Sequence, residues 1–339
     1  MSKMSTDAPG AADKQVRHVL NGETMGTRYS AVFFAARSFD AAALAGALQT
    51  AVDQVDSVMS TWKPESDLNR LNEAALRSWV AIPRDLAVVL CAGLRIGRAS
   101  GGAFDIGVGK AVAAWGFGAE AAETEAPTAP TAPTCASDAL EVDAPRCRAR
   151  KLANISLDLS GIAKGFGVDK LARVMRAFRI GSWLVGIDGE MRARGAKPDG
   201  SAWTVAHERP VRGVREAMGV IELTDIAVAT SGNYRHVRNV AGRTVSHSID
   251  PRTGQPVDNG VASVTVLSDE CMEADAWATA VLVAGLEEGL AFTVEAGFEV
   301  IVVMNDGSLH SNLREQSITK SGAVTSRLDE LRAIWRVAK

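Results

Sequence analysis

A chain of 339 residues, 47% hydrophobic and 23% charged, has the composition of an ordinary globular protein with a sizeable buried core. Its formal net charge of -3 excludes a general nucleic-acid binder, which needs a basic surface to neutralise phosphates. Aromatic residues make up only 5%, with seven Trp and two Tyr, so an aromatic inside a motif is informative.

Met1 to Leu20 is polar, carries Pro9-Gly10 and lacks an apolar run, and residues 1–15 are expected to form a disordered tail. As written, the chain shows no signal-peptide core, lipoprotein-type cysteine or membrane span, which points to the cytoplasm, or to the periplasm if an export signal is missing from it. Cys91, Cys135, Cys147 and Cys271 form no Cys-x-x-Cys pair and suit a reduced compartment; in an exported protein Cys135 and Cys147 could close a loop disulfide. Val16 to Phe34 alternates enough for one or two strands. Asp40 to Met59 places Leu44, Leu48, Val52, Val55 and Val58 at helical spacing. Ser60 to Asn72 is read as a polar loop broken by Pro64, in which Trp62 is either a core anchor or a platform for a planar ligand.

Arg84 to Ser100 reads as a second helix, closed by Gly101-Gly102. Residues 119–137, nearly all Ala, Glu, Thr and Pro, read as a surface insertion within one domain spanning 16–339. Further on, Trp203 to His207, Gly219 to Leu223 and Ile226 to Thr230 are expected as successive strands of one antiparallel sheet. Val261 to Leu267 is a β-branched strand, Cys271 to Ala284 a helix, Phe298 to Met304 a buried strand and Leu328 to Val337 a closing helix.

Two stretches carry chemistry. The alternating run Ile155 to Leu159 is expected to be a strand that leads into a helix capped by Ser160. Gly161 would let a ligand approach the backbone, and the first-turn N–H groups with Lys164 would attract a phosphate; the alternative is an ordinary strand-to-helix junction with a solvated lysine. In the helix from Cys271, Asp275 and Thr279 lie four residues apart on one face, an oxygen donor pair suited to Mg2+; the alternative is a solvated Asp beside a Thr bonded to its own helix. His247, ahead of the Asp250-Pro251-Arg252-Thr253-Gly254 turn, is a general base or a structural histidine.

Seven segments in order give the chain a resemblance to the ApbE family, the FAD:protein FMN transferases. They are Thr24-Met25-Gly26-Thr27; Ser60-Thr61-Trp62 with Ser66 and Asn72; Gly102-Ala103-Phe104-Asp105 with Trp115-Gly116-Phe117-Gly118; and Asp158 to Gly165. Thr230-Ser231-Gly232, His247 with Asp250 to Pro256, and Ala274 to Thr279 complete the set. The resemblance implies an α+β fold of mixed and antiparallel sheets, with the flavin nucleotide in a cleft between two lobes. It implies that Met25, Trp62, Ala103, Phe104, Asp105, Asp158, Lys164 and the backbone near Ile249 hold FAD. It further implies that the Gly161 carbonyl, Asp275 and Thr279 hold Mg2+, and that His247 and Lys164 serve catalysis.

The activity so implied is transfer of FMN from FAD to a Thr or Ser hydroxyl of an acceptor flavoprotein, releasing AMP. The alternatives are an Mg2+-dependent FAD pyrophosphatase and a non-catalytic FAD-binding module. Two residues depart from the family pattern. Trp62 stands where Tyr is usual, and Gly107 replaces a common Thr, which is expected to loosen that loop. Ser321-Gly322-Ala323-Val324-Thr325 resembles the segment such enzymes modify, but Val324 interrupts it and self-modification is not expected.

Overall fold

The computed structural model describes residues 15–118, 134–235, 237–240, 242–312, 323–325 and 333–337; for Arg243 and the last two runs it describes the backbone only. Strands β1 (Val16–Thr24) and β2 (Thr27–Ala35) pair in register up to Thr24 and Thr27. The two turn residues, Met25 and Gly26, have φ of 47° and 70°. Two positive values match the right-handed strand twist and swing the Met25 side chain away from the hairpin.

Helix α1 (Ala41–Met59) starts where the Asp40 carboxylate accepts the N–H groups of Ala42 and Ala43, and it buries Leu44, Leu48, Val52, Val55 and Met59. Helix α2 (Asp67–Glu73) follows, with the Ser66 hydroxyl accepting the Asn69 N–H at 3.1 Å. The expected loop from Ser60 to Asn72 is therefore half helix: a cap at Ser66 and Leu68 and Leu71 at i, i+3 spacing suffice to fold it. Strand β3 (Val80–Ala81), helices α3 (Arg84–Ala99), α4 (Gly109–Ala114) and α5 (Ala136–Ala139), and strands β4 (Leu140–Asp143) and β5 (Arg148–Lys151) come next. Of the 119–137 insertion, residues 119–133 lie outside the described residues, and Ala136 opens α5.

Helix α6 (Ala163–Ala177) precedes strands β6 (Trp183–Ile187), β7 (Glu190–Arg194), β8 (Trp203–Glu208), β9 (Ala217–Leu223) and β10 (Ala227–Gly232). Two short ribbons follow, β11 (Val237–Val240) with β12 (Arg243–Ser246), and β13 (Ile249–Asp250) with β14 (Gln255–Pro256). Strand β15 (Val261–Ser268), helices α7 (Cys271–Ala284) and α8 (Leu286–Ala296), and strands β16 (Glu299–Met304), β17 (Leu309–Ser311), β18 (Ala323–Thr325) and β19 (Ala333–Val337) complete the order.

The fold is α+β, as expected. An eight-stranded sheet runs β1-β2-β6-β7-β10-β15-β16-β17, and a four-stranded sheet runs β18-β19-β9-β8. Helices α1, α6, α7 and α8 cover one face of the large sheet, and the small sheet covers the other. Period-two alternation makes this possible. In β2, Tyr29, Ala31 and Phe33 face the helices while Val32 and Phe34 face the small sheet. Helix α7 is buried between α6, α8, β10 and β15, and alternate alanines at 274, 276, 278 and 280 allow that close packing.

Three expectations need correction. β10 is not a third strand beside β8 and β9; it pairs with β7 and β15 in the large sheet. Ile155 to Leu159 is not a strand, since its only ladder contact is a bridge from Ser156 to Val108. Leu328 to Val337 does not form a helix: residues 326–332 lie outside the described residues, and β19 pairs with β9 from Ala333↔Leu223 to Val337↔Gly219. Apolar spacing there resembles a helix, yet the open edge of β9 supplies hydrogen-bond partners that a helix would leave unpaired. Cys135 and Cys147 form no disulfide; all four cysteines are free. In the Ser321 to Thr325 segment, Ser321 and Gly322 lie outside the described residues, and β18 pairs with β19.

Candidate active site

Ser160 does not cap α6. The helix starts at Ala163 after Ile162, with no side-chain cap, and the Asp158 carboxylate instead accepts the Ser160 N–H at 2.7 Å. The Asp158 N–H donates to the Ile106 carbonyl, tying this turn to the Ala103-Phe104-Asp105 segment. Lys164 lies in the first turn as expected, but its ammonium is engaged. It donates to Glu190 on β7 at 2.7 Å and lies 3.9 Å from Asp188. Burial alone would lower its pKa, but Glu190, Asp275 and Asp188 outweigh that and raise it.

Asp275 and Thr279 do share one face of α7. Asp275 is 3% exposed, and its Oδ2 accepts the Gly165 N–H at 2.9 Å. Burial raises its pKa, against the opposing pull of Lys164 and the Gly165 N–H. The Thr279 hydroxyl lies 3.1 Å from that of Ser231 on β10. A Cβ placed on Gly161 would sit 3.1 Å from Thr279 Oγ1 and 3.3 Å from the Phe104 ring, so these three residues converge. Met25 reaches α6, its methyl lying against Gly167. Glu190 is fully sequestered: burial pushes its carboxyl up to about 7, and Oε2 has no hydrogen-bond partner.

The second part of the site is built from loops. A cleft of about 300 Å³ is lined by Gly102, Asp105, Gly107, Cys135, Pro251 and Arg252, among others. Phe104 faces Gly161 while its chain neighbour Asp105 lines the cleft, so the Ala103-Phe104-Asp105 segment links the two parts of the site. Asp105 is itself tied down, accepting from the N–H groups of Gly107 and Ala136 and from the Cys135 thiol at 2.9 Å. The thiol pKa is raised by burial and then by that carboxylate. Gly107 does not loosen the loop, because a Cβ there would lie 3.0 Å from Asp105 Oδ1 and 3.3 Å from Ala136 Cβ.

Across the cleft, Arg252 is held by Asp250 and Glu288, and Trp115 donates to the Gly254 carbonyl at 2.8 Å. His247 packs edge-on against Phe117 with ring centres 6.4 Å apart. Ile249 is buried on β13, which packs against α7. Trp62 is 69% exposed, which rules out the core-anchor reading and leaves an open aromatic face.

Glu190, Asp188 and Ser231 join the cluster without having been assigned a role from sequence. Strand alternation gives β7 a face but not its partner across 26 residues of chain, so the Lys164–Glu190 pair has no local signature. The donor set suits a hard cation. Among the described residues no three His, Cys, Asp or Glu side chains form a metal cage. A cation here would draw on one carboxylate, one hydroxyl and one carbonyl, leaving room for ligand phosphates, which is how Mg2+ is commonly held. Among the described residues Glu190 Oε2 has no hydrogen-bond partner, and Asp275 and Asp188 add to burial in raising the Glu190 pKa, a gathering of carboxylates that a cation would offset.

The structure thus sets an acidic, lysine-bearing cluster on a strand-and-helix layer and builds a separate cleft from loops. Residues 25–302 match the ApbE family, and the chain belongs to it. It is 32% identical over 306 residues to the FAD:protein FMN transferase of Escherichia coli (strain K12), covering 85% of this chain and 84% of that protein. It is 35% identical over 290 residues to the enzyme of the same name from Vibrio cholerae serotype O1, covering 84% and 86%. The crystal structure of Pseudomonas stutzeri flavinyl transferase ApbE in its apo form superposes with a TM-score of 0.77 at 31% identity, over 88% of this chain and 95% of that one.

Proposed function

We propose that the chain transfers FMN from FAD to a threonine or serine hydroxyl of a flavoprotein and releases AMP. The observation that carries this reading is the convergence of Lys164, Asp275, Thr279 and Gly161 beside the cleft lined by Asp105. Asp275, Thr279 and the Gly161 carbonyl would hold Mg2+, which when bound supplies charge neutralisation to the pyrophosphate oxygens. Met25, Trp62, Ala103, Phe104, Asp105, Asp158 and the backbone near Ile249 would bind FAD.

In the reaction, the acceptor hydroxyl oxygen attacks the flavin-side phosphorus of the pyrophosphate. The bond from that phosphorus to the bridging oxygen breaks, and AMP leaves with the electron pair. Lys164 contributes a fixed positive charge beside the phosphates, held in place by Glu190. His247 takes the hydroxyl proton, since an unassisted hydroxyl is a poor nucleophile near neutral pH.

Incubating the purified protein with FAD, Mg2+ and an acceptor flavoprotein tests this. Flavin covalently attached to the acceptor by mass spectrometry, and its absence when Mg2+ is chelated, is the expected result. Free FMN alone would mean hydrolysis, and unchanged FAD a binding module. In the same assay His247→Ala should slow transfer by about 100- to 10,000-fold while FAD affinity is kept. Joint loss of FAD affinity and thermal stability would instead make His247 a brace for its turn.

A further inference from the structure

Helices α6 and α7 meet through two rungs of opposite sense, one helical turn apart. At the first, the Gly165 N–H of α6 donates to the Asp275 carboxylate of α7. At the second, the Asp169 carboxylate of α6 accepts the N–H groups of Cys271 and Met272, the first two residues of α7, at 3.0 and 2.9 Å. Helix α7 has no side-chain cap of its own at Glu270, so Asp169 supplies from another helix the acceptor that its N-terminus needs. The helices approach closely enough that a Cβ on Gly165 would lie 2.4 Å from the Cys271 carbonyl oxygen. Strand β7 buttresses both rungs from one face: Glu190 holds Lys164, and two residues on Arg192 holds Asp169 while making a double contact to Glu270 at 2.8 and 3.1 Å. Asp169 is 2% exposed and Arg192 7% exposed, so their ion pair is not a solvated surface contact.

We propose that Asp169, held by Arg192, is a positioning residue for the cation site: it fixes the axial register of α7 against α6, and thereby the placing of Asp275 and Thr279 relative to Gly161. Asp169 touches neither FAD nor the cation in this scheme and acts only through the start of α7. A shift of α7 along its axis would carry Asp275 away from the Gly165 N–H and Thr279 away from Gly161 together, because Cys271, Asp275 and Thr279 recur every fourth residue on one helix face. The inference rests on the Mg2+ reading of Asp275, Thr279 and Gly161.

The test is calorimetric titration of Mg2+ into the protein, with and without FAD and with no acceptor present, alongside thermal unfolding without metal. Asp169→Asn should weaken Mg2+ binding by about 10- to 100-fold, the usual cost of removing a group that orients a metal ligand. Transfer should recover at saturating Mg2+, so the effect falls on the Mg2+ midpoint rather than on the maximal rate. Arg192→Lys, which keeps the charge but loses the double contact, is the milder variant and should shift the midpoint the same way by a smaller factor. An unchanged Mg2+ midpoint in either folded variant, with a lowered metal-free unfolding temperature, would reduce Asp169 to a structural cap and overturn the proposal. A wild-type protein that binds no Mg2+ would overturn the metal reading itself, and this inference with it.

Discussion

Alternate residues of β10 look into two buried polar settings that differ in charge. Ser231 points to Thr279 and so to the cluster of Lys164, Glu190 and Asp275. Thr230 points the other way, 2.8 Å from Thr265, whose hydroxyl lies 3.2 Å from His207 Nε2 between the two sheets. Burial acts on both but in opposite directions, because it disfavours whichever form is charged. It pushes Glu190 up from 4.5 to about 7 and His207 down from 6.5 to about 4. The folded protein thus holds a proton on Glu190 more readily than the unfolded chain, and this contribution to stability is lost as pH rises through about 7. The His207 contribution is present above about 6.5 and is lost as pH falls toward about 4. One strand therefore separates a face that carries charge for function from a face where a neutral network serves the packing of two sheets.

The largest effect should come from breaking the charged face. Lys164→Met leaves Glu190 buried with no counter-charge, and removing one partner of a buried pair costs about 3–5 kcal/mol. The loss should be larger at pH 8 than at pH 5, because at the lower pH Glu190 takes up a proton and no bare charge remains buried. Denaturant unfolding at the two pH values measures this. Equal losses would show that the pair is held by solvent access rather than by mutual neutralisation, and the contrast between the two faces would fail.

Legibility from sequence follows how local each signal is. Helix α7 was readable to the residue, and with it the common face of Asp275 and Thr279, since both depend only on spacing within one element. Ile155 to Leu159 alternates like a strand, but a strand exists only where a partner pairs with it, and the alternation says nothing about that. Glu190, Asp169 and His207 carry no local signature of their roles because their partners lie 23 to 103 residues away in sequence. Helix α2 has its start signals in Ser66 and the first-turn Asp67, but Pro64 and the polar residues around it give the same stretch the composition of a loop. The roles of the loop residues came from family resemblance, not from periodicity, because loops have none.

The neutral face gives the next effect. In wild type, the His207 shift from 6.5 to about 4 corresponds to about 3 kcal/mol of stability lost between neutral pH and pH 4, at 1.36 kcal/mol per unit. His207→Gln keeps a side chain able to meet Thr265 but cannot titrate. The variant should be close to wild type at pH 7 and should lack this loss at low pH, so the difference between the two proteins changes by about 3 kcal/mol across the window. Taking that difference also cancels Glu190, whose contribution runs the other way over the same range. Parallel stability curves for the two proteins would mean that His207 is solvated enough to charge in place.

The smallest stability effect belongs to a residue outside both faces. Trp62 is 69% exposed, so Trp62→Ala removes little buried area and should change unfolding free energy by less than about 0.5 kcal/mol. If its open face stacks on a planar ring of FAD, the same change should weaken FAD binding by about 1–3 kcal/mol, the usual cost of losing an aromatic stacking platform. Trp62→Tyr should retain most of that affinity, because it keeps an aromatic face. Fluorescence titration of FAD against the three proteins, with unfolding measured in parallel, separates the two quantities. A substitution at Lys164 or His207 acts on a buried partner, Glu190 or Thr265; at Trp62 solvent replaces the lost side chain and only the ligand registers the change. Unaltered FAD affinity in Trp62→Ala would leave Trp62 as an ordinary exposed tryptophan and move recognition of the rings to the cleft beside Asp105.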